Sequence, residues 1–95
     1  MKFEWDERKR LATIGKHRLD FDVVRLMWRG PVIDPFERRS VDGEARIVAL
    51  GVAGADEKVI AVVYSWRDGA RRLISARRAR AYEREAYATT FGRGC

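Results

Sequence analysis

The 95-residue sequence contains no asparagine and no glutamine, and it has one cysteine, one histidine and two prolines. The cysteine is the last residue, Cys95, which excludes an internal disulfide and a cysteine-based metal site. No apolar run approaches the roughly eighteen residues that a membrane-spanning helix needs. Three of the first six side chains are charged, so the sequence predicts no secretory signal and a cytoplasmic protein.

Standard catalytic signatures are also missing. The chain has no Gly-rich phosphate loop, no paired cysteines, no His-Glu-x-x-His and no Gly-x-Ser-x-Gly. A nucleophile–histidine pair would have to join His17 to a serine, and no local context supports one. Because the acidic residues are scattered, neither a metal site nor a cofactor is expected.

Arginine, in contrast, is abundant and unevenly placed. Residues 1–66 hold 12 basic and 11 acidic side chains, whereas residues 67–95 hold 8 basic and 3 acidic ones. All eight of the later basic residues are arginines, whose planar fork binds phosphate in two places. This excess favours a polyanion or an acidic protein as partner, although a solvated basic surface would have the same composition.

Apolar periodicity and turn residues predict one α+β domain over residues 1–95. Asp6 and Asp20 are expected to cap two N-terminal helices, the first of which would bury Leu11 and Ile14. The expected strands are 1–5, 32–33, 46–51, 59–66 and 71–76. The expected helices are 7–16, a second that begins near residue 21 and ends before residue 30, and 78–89.

The predicted architecture is a small antiparallel β-sheet meander flanked by N-terminal helices and a C-terminal helix. Short loops between successive strands favour the meander, and the helices are expected on one face. Asp68 and Gly69 suit the positive φ of a tight hairpin. Strand 59–66 is apolar on both faces and is placed inside the sheet. Pro35 is expected to end the short strand before it.

The C-terminal segment contains a stripe of reactive side chains. On a helix, four of them would fall within about 80° of one another: Arg77, Arg80, Arg84 and Tyr87. Glu83 would lie at the edge of this stripe. Three side chains on the other side would face the core: Ala79, Tyr82 and Ala86. A solvated helix with i,i+3 and i,i+4 ion pairs would give the same pattern.

Such a stripe suits the cleavage of RNA without a metal ion. That reaction removes the 2′-hydroxyl proton, stabilises the extra charge on the phosphate and protonates the leaving 5′-oxygen. Arginines stabilise the phosphate, and a carboxylate, tyrosine or histidine of shifted pKa moves the protons.

Three groups of motifs together resemble the BrnT toxin family. The first is Trp5-Asp6-Glu7-x-Lys9 followed by Lys16-His17 and Leu19-x-Phe21. The second is Asp42-Gly43-Glu44-x-Arg46 followed by Ala49-x-Gly51. The third runs from Ile74-Ser75-Ala76-Arg77 through Arg78-Ala79 to Glu83-Arg84-x-x-Tyr87. The resemblance covers residues 5–87, and no single motif in it is specific alone.

The resemblance implies a fold related to the RelE toxins and a metal-independent endoribonuclease of a type II toxin–antitoxin system. It implies RNA as substrate, on or off the ribosome, and a BrnA-like antitoxin with a ribbon-helix-helix DNA-binding part. The toxin would inhibit translation and growth until a hetero-oligomer with the antitoxin masks it. The implied catalytic residues are Arg77, Glu83, Arg84, Tyr87 and His17. The implied substrate-binding residues are Lys16, Glu44, Arg46 and Ser75, to which the stripe adds Arg80.

Two readings compete with a nuclease. The basic segment would also suit a non-catalytic module that binds RNA or DNA, or a protein whose basic surface serves an acidic partner alone. Glu44 and Arg46 are expected to pair with each other across the sheet rather than to act directly in catalysis.

Two departures from the family lie in the first helix and directly after it. Thr13 stands where an asparagine is usual, and Arg18 stands where a glycine usually follows the Lys-His pair. That position predicts a left-handed residue after the helix, where arginine costs about 1 kcal/mol.

Overall fold

The computed structural model of the chain describes residues 2–39, 45–54 and 58–91. They form three α-helices, a 3₁₀ helix and five strands. In chain order these are β1 Phe3–Trp5, α1 Glu7–His17, α2 Phe21–Val24, the 3₁₀ helix Arg25–Arg29, β2 Ile33–Arg39, β3 Ala45–Val52, β4 Val59–Arg67, β5 Ala70–Arg78 and α3 Ala81–Phe91. The predicted α+β class is confirmed. None of the described helices is long and apolar enough to cross a membrane.

The five strands form one sheet in the order β1-β5-β4-β3-β2. From β2 to β5 every neighbouring pair is antiparallel, which confirms the predicted meander. The β4–β5 hairpin turns at Asp68 and Gly69, with φ values of 51° and 79°. β1 is the exception, because it pairs in parallel with β5 and places Phe3 opposite Arg71.

The N-terminal helices begin where the sequence predicts. An Asp6 side-chain oxygen accepts a hydrogen bond from the Arg8 N–H at 2.8 Å, and Asp20 accepts one from the Asp22 N–H at 3.0 Å. These bonds satisfy amide groups that a helix start leaves without an internal partner. The first helix ends at His17, and Arg18 directly after it has φ 56° and ψ 34° and donates its N–H to the Ile14 carbonyl.

One face of the sheet is closed by α2 and the 3₁₀ helix. Phe21, Val24 and Met27 are at most 1% exposed and pack on inward side chains of β3, β4 and β5. Gly51 allows this close approach, since a Cβ there would lie 3.0 Å from Met27 Sδ. We call this surface the closed face.

α3 packs on the opposite face, so the expectation that all helices share one face is wrong. Tyr87 of α3 packs there with Leu50 and Ala61. The reason lies in β4, where Ile60 and Ala61 are consecutive, point to opposite faces and are both fully buried. A strand that is apolar on both sides needs cover on both sides. We call the α3 side the open face, because α3 covers only part of it.

Two expected boundaries are also wrong. β2 does not end before Pro35 but continues through it to Arg39, with a register shift between Ile33 and Phe36. Because β2 lies at the sheet edge, the missing proline N–H costs no ladder hydrogen bond. At the other end, β5 continues to Arg78 opposite Ile60, so α3 begins at Ala81 rather than near residue 78.

Two expected core residues face solvent instead. Leu11 is 58% exposed on α1, where Thr13 is the buried residue. Tyr82 is 49% exposed, and Tyr87 fills the core position of α3. The position of each helix accounts for these differences. α1 contacts β5 through the side of the helix that carries Thr13, and α3 begins later than expected, so different side chains face the sheet.

Candidate active site

The part of the open face that α3 leaves uncovered forms a cleft of about 660 Å³. We call it the main cleft. Its walls come from β2, β3, β4, β5 and the first turn of α3. They consist of Pro35, Phe36, Glu37, Arg46, Val48, Val63, Arg77, Arg80, Tyr82 and Glu83. Four of the sequence-predicted site residues therefore meet here: Arg46, Arg77, Arg80 and Glu83.

Arg77 is fixed in the cleft by Glu83. The Arg77 Nη1 and Nη2 atoms donate to the two Glu83 carboxylate oxygens at 2.6 and 3.0 Å. Glu83 is 1% exposed, whereas the Arg77 side chain is 22% exposed and lines the cleft. This two-point contact holds the guanidinium plane in one orientation and leaves part of it accessible.

Glu83 also completes the start of α3. One of its oxygens accepts the Arg80 backbone N–H at 2.7 Å, as in the helix-side half of a capping box. Burial acts to raise the pKa of Glu83, but the bonds from Arg77 and Arg80 outweigh it and hold that pKa below its ordinary value. The same contact raises the pKa of Arg77. The pair is therefore ionised at neutral pH, and Glu83 is a weak proton acceptor.

Arg46 and Arg80 are both exposed and add positive charge to the cleft. Aromatic rings form another part of the wall. The rings of Tyr82 and Phe36 meet edge to face with centroids 5.7 Å apart. The cleft thus combines guanidinium groups that bind phosphate with ring surfaces on which a base can stack.

The remaining members of the predicted stripe lie elsewhere, because Arg77 belongs to a strand and not to the helix. Arg84 donates from Nη1 to the Ala79 carbonyl at 2.7 Å and lines a second cleft of about 550 Å³ with Lys58 and Arg78. Tyr87 is 6% exposed, and its hydroxyl donates to the Pro31 carbonyl at 3.0 Å. Neither residue lines the main cleft.

Three other predicted residues share a groove between α1 and β5. Lys16, His17 and Ser75 line it together with Lys9 and the buried Thr13, around about 330 Å³. Ser75 lies opposite Val63, which lines the main cleft, so the two depressions are neighbours on β5 and β4. We call this depression the α1 groove. Glu44, the last predicted residue, lies outside the described residues.

Sequence reasoning missed the acidic and aromatic side chains of the cleft: Phe36, Glu37 and Tyr82. The first two were missed because the strand that carries them was expected to end at Pro35. Tyr82 was assigned to the core from a helical pattern that began too early. No apolar alternation marked this edge strand in the sequence, because Phe36 is followed by three charged residues.

Comparison with known proteins adds one match. A family model described as ribonuclease toxin, BrnT, of type II toxin-antitoxin system matches residues 5–83. The matched segment contains every residue that lines the main cleft. No curated protein shows significant similarity to the chain.

Proposed function

Because the chain belongs to the BrnT family of ribonuclease toxins of type II toxin–antitoxin systems, we propose that it cleaves RNA in the main cleft without a metal ion. Family membership implies an RNA substrate and a cognate antitoxin. The proposal adds four points: which residues carry out cleavage, that cleavage needs no metal ion, that a BrnA-like antitoxin relieves the growth arrest, and that the fold is related to that of the RelE toxins.

The observation that carries this proposal is the Arg77–Glu83 pair. A phosphodiester under attack gains negative charge, and a donor held in place beforehand stabilises that charge without reorganising. Arg77 meets this requirement because a buried carboxylate fixes it while part of its guanidinium faces the cleft. We therefore assign charge stabilisation to Arg77 and treat Glu83 as a positioning residue.

Proton transfer needs a different carboxylate, since both Glu83 oxygens accept hydrogen bonds. Glu37 lines the same cleft and is exposed, and it forms no ion pair with the described residues. We assign it the role of accepting the 2′-hydroxyl proton. His17 remains the sequence-based candidate for the proton donor.

The RNA path extends beyond the scissile phosphate. Arg46 and Arg80 would bind neighbouring phosphates, and Tyr82 would stack on a base. The α1 groove continues this surface with Lys16, His17 and Ser75. We propose that the RNA strand runs across β4 and β5 from the main cleft into the α1 groove. Arg84 would bind RNA at the second cleft, outside the reacting centre.

The test is cleavage of purified RNA in the presence of EDTA, with and without ribosomes. We expect products with 2′,3′-cyclic phosphate ends, and a loss of about 10²–10³ in rate for Arg77→Ala. Arg77→Lys keeps the charge that neutralises Glu83 but loses the two-point fork, so it should also be slow. Arg8→Ala, on the exposed side of α1, is the matched control and should cleave normally.

Three results would contradict parts of the proposal. Full activity in folded Arg77→Lys and Arg77→Ala would remove Arg77 from the site. Cleavage that EDTA abolishes would remove metal independence. If the protein binds RNA in a salt-dependent way but leaves it intact both with and without ribosomes, the non-catalytic module is favoured instead. For Glu37, the matching measurement is single-turnover cleavage, which Glu37→Gln should slow by about 10²–10⁴ while RNA affinity stays the same.

A further inference from the structure

A second arginine is held by aromatic rings rather than by a carboxylate. The Arg71 Cζ atom lies 4.5 Å from the ring centroid of Trp66, 5.0 Å from that of Trp28 and 5.4 Å from that of Tyr64. The rings also contact one another, with Tyr64 edge-on to Trp28 and to Trp66 at 5.5 and 5.8 Å. We call these four residues the aromatic–arginine cluster.

The sequence builds this cluster from one hairpin and one helix. Trp66 and Arg71 lie directly opposite each other, one residue pair away from the β4–β5 turn. Tyr64 is two residues before Trp66 and therefore on the same face of β4. Trp28, at the end of the 3₁₀ helix, closes the cluster from above the sheet.

Arg71 differs from the other partly buried arginines in its charge balance. Arg10, Arg72 and Arg77 each contact a carboxylate at hydrogen-bonding distance. Within the described part of the chain, Arg71 has no carboxylate at ion-pair distance, and its buried Nε atom has no acceptor. Cation–π contacts hold the guanidinium in place, and the Asp34 carboxylate interacts with Tyr64 of the cluster rather than forming an ion pair with Arg71.

Part of the cluster is exposed at the surface. Trp66 is 52% exposed and is one of four exposed large hydrophobic residues in the described part of the chain. Trp, Tyr and Arg are the residue types that dominate the energetics of protein–protein interfaces. Their side chains are ordered by one another before any partner arrives, which reduces the entropy lost on binding.

The cluster is separate from the RNA site. Its rings belong to the closed face, whereas Arg77 meets Glu83 of α3 on the open face. Along β5, Arg71 and Arg77 are roughly 20 Å apart at the usual rise per residue. An RNA strand in the main cleft would have to pass around the sheet to reach Trp66. This placement favours a protein partner over RNA.

We propose that the aromatic–arginine cluster is the anchor on which the antitoxin docks. The chain has a formal charge of +6, so an acidic partner is complementary to it. One carboxylate of the antitoxin would bind the Arg71 guanidinium, and an apolar side chain beside it would cover Trp66. The inference rests on the pairing with an antitoxin put forward under the proposed function, and it adds the place and the chemistry of that contact.

The test measures the affinity of the purified toxin for the protein encoded in the neighbouring reading frame, by calorimetry. Trp66→Ala and Arg71→Lys should each weaken binding by about 30-fold or more, the loss expected of an interface hot spot. Leu11→Ala removes an apolar side chain about as exposed as Trp66, Arg8→Ala removes an exposed arginine of α1, and each should change affinity less than twofold. RNA cleavage by the free variants should stay at the wild-type rate.

The possible failures are distinguishable. If the wild-type toxin does not bind this protein, the pairing itself is wrong, and the anchor with it. If the wild type binds and Trp66→Ala binds equally well, the pairing stands and the anchor is overturned. If Trp66→Ala instead weakens binding of uncleavable 2′-O-methyl RNA while antitoxin affinity is unchanged, the cluster is an RNA contact. Trp66→Ala decides even where Arg71→Lys folds poorly, because its ring is half exposed.

Discussion

The closed and open faces of the sheet share the same strands but differ in how they are covered. On the closed face, α2 and the 3₁₀ helix fill the surface with Phe21, Val24 and Met27, all essentially inaccessible. On the open face, α3 covers Leu50 and Ala61 and leaves a charged cleft beside them. The difference shows that the position of a helix along the sheet decides whether the surface beneath it becomes part of the core or remains open as a site.

The largest expected effect is a loss of stability from a substitution in the closed face. Phe21→Ala should lower the free energy of unfolding by about 3–5 kcal/mol, because it removes a fully buried ring from a packed core. Val23→Ala, two residues later and 44% exposed, is the control and should change it by less than about 0.5 kcal/mol. Urea denaturation measures both. Similar values for the two variants would contradict the assignment of Phe21 to the core.

On the open face, Glu83→Gln should cost about 2 kcal/mol of stability near neutral pH, since Arg77 loses an ionic partner. The pKa of Glu83 is lowered in the folded state, so its ionisation stabilises the protein above the ordinary pKa of 4.5. That contribution is lost as the pH falls through the lower folded-state value. The gap between wild type and variant should therefore narrow below about pH 4.5. Thermal melts from pH 3 to 7 test this, and a constant gap would contradict it.

Two tyrosines of α3 sharpen the distinction between site and support. Tyr82→Ala should weaken binding of 2′-O-methyl RNA roughly tenfold through loss of stacking, with little change in stability. Tyr87→Phe should do the opposite: it loses the bond to Pro31 and about 1 kcal/mol of stability, and it keeps RNA affinity. Fluorescence anisotropy and denaturation separate the two effects. A weaker RNA complex for Tyr87→Phe would return Tyr87 to the site.

The smallest expected effect lies outside both faces, at the end of α1. Arg18→Gly should raise stability by up to about 1 kcal/mol, because glycine adopts the left-handed conformation without the cost that a Cβ brings. Arg18→Ala keeps that Cβ and serves as the control, with stability close to that of the wild type. An increase for alanine equal to that for glycine would show that the arginine side chain, not its backbone, is unfavourable there.

Local chemistry allowed much of the fold to be predicted. Asp6, Asp20 and the Asp68–Gly69 turn were identifiable because capping and positive φ are properties of single residues. Arg77 was predicted to lie between strand 71–76 and helix 78–89, and it was counted with the helical stripe because its spacing to Arg80 and Arg84 also fits a helix. What decides its conformation is the pairing with Ala61 across the sheet, and sixteen positions along the chain separate the two. A periodicity within one segment cannot report such a contact.

For the candidate site, the residue types were easier to predict than their grouping. Arg77, Glu83, Arg80 and Arg46 do meet, whereas Tyr87 and Arg84 lie apart from them. Tyr87 and Arg84 are separated from this group because Arg77 belongs to β5 and Glu83 to α3, and the ion pair between them is formed at the junction of the two elements. The roles of all these residues remain predictions until the variants are measured.

The parallel pairing of β1 with β5 has a consequence for the order of events during synthesis. Arg72 contacts Glu4 across 68 positions of sequence, and Glu83 is translated later still. A nascent chain that ends before β5 can complete neither its sheet nor the support of Arg77. At about 5–20 residues per second, the chain spends several seconds on the ribosome without the Arg77–Glu83 pair. The pair therefore forms only after the ribosome has synthesised residue 83, late in the described part of the chain.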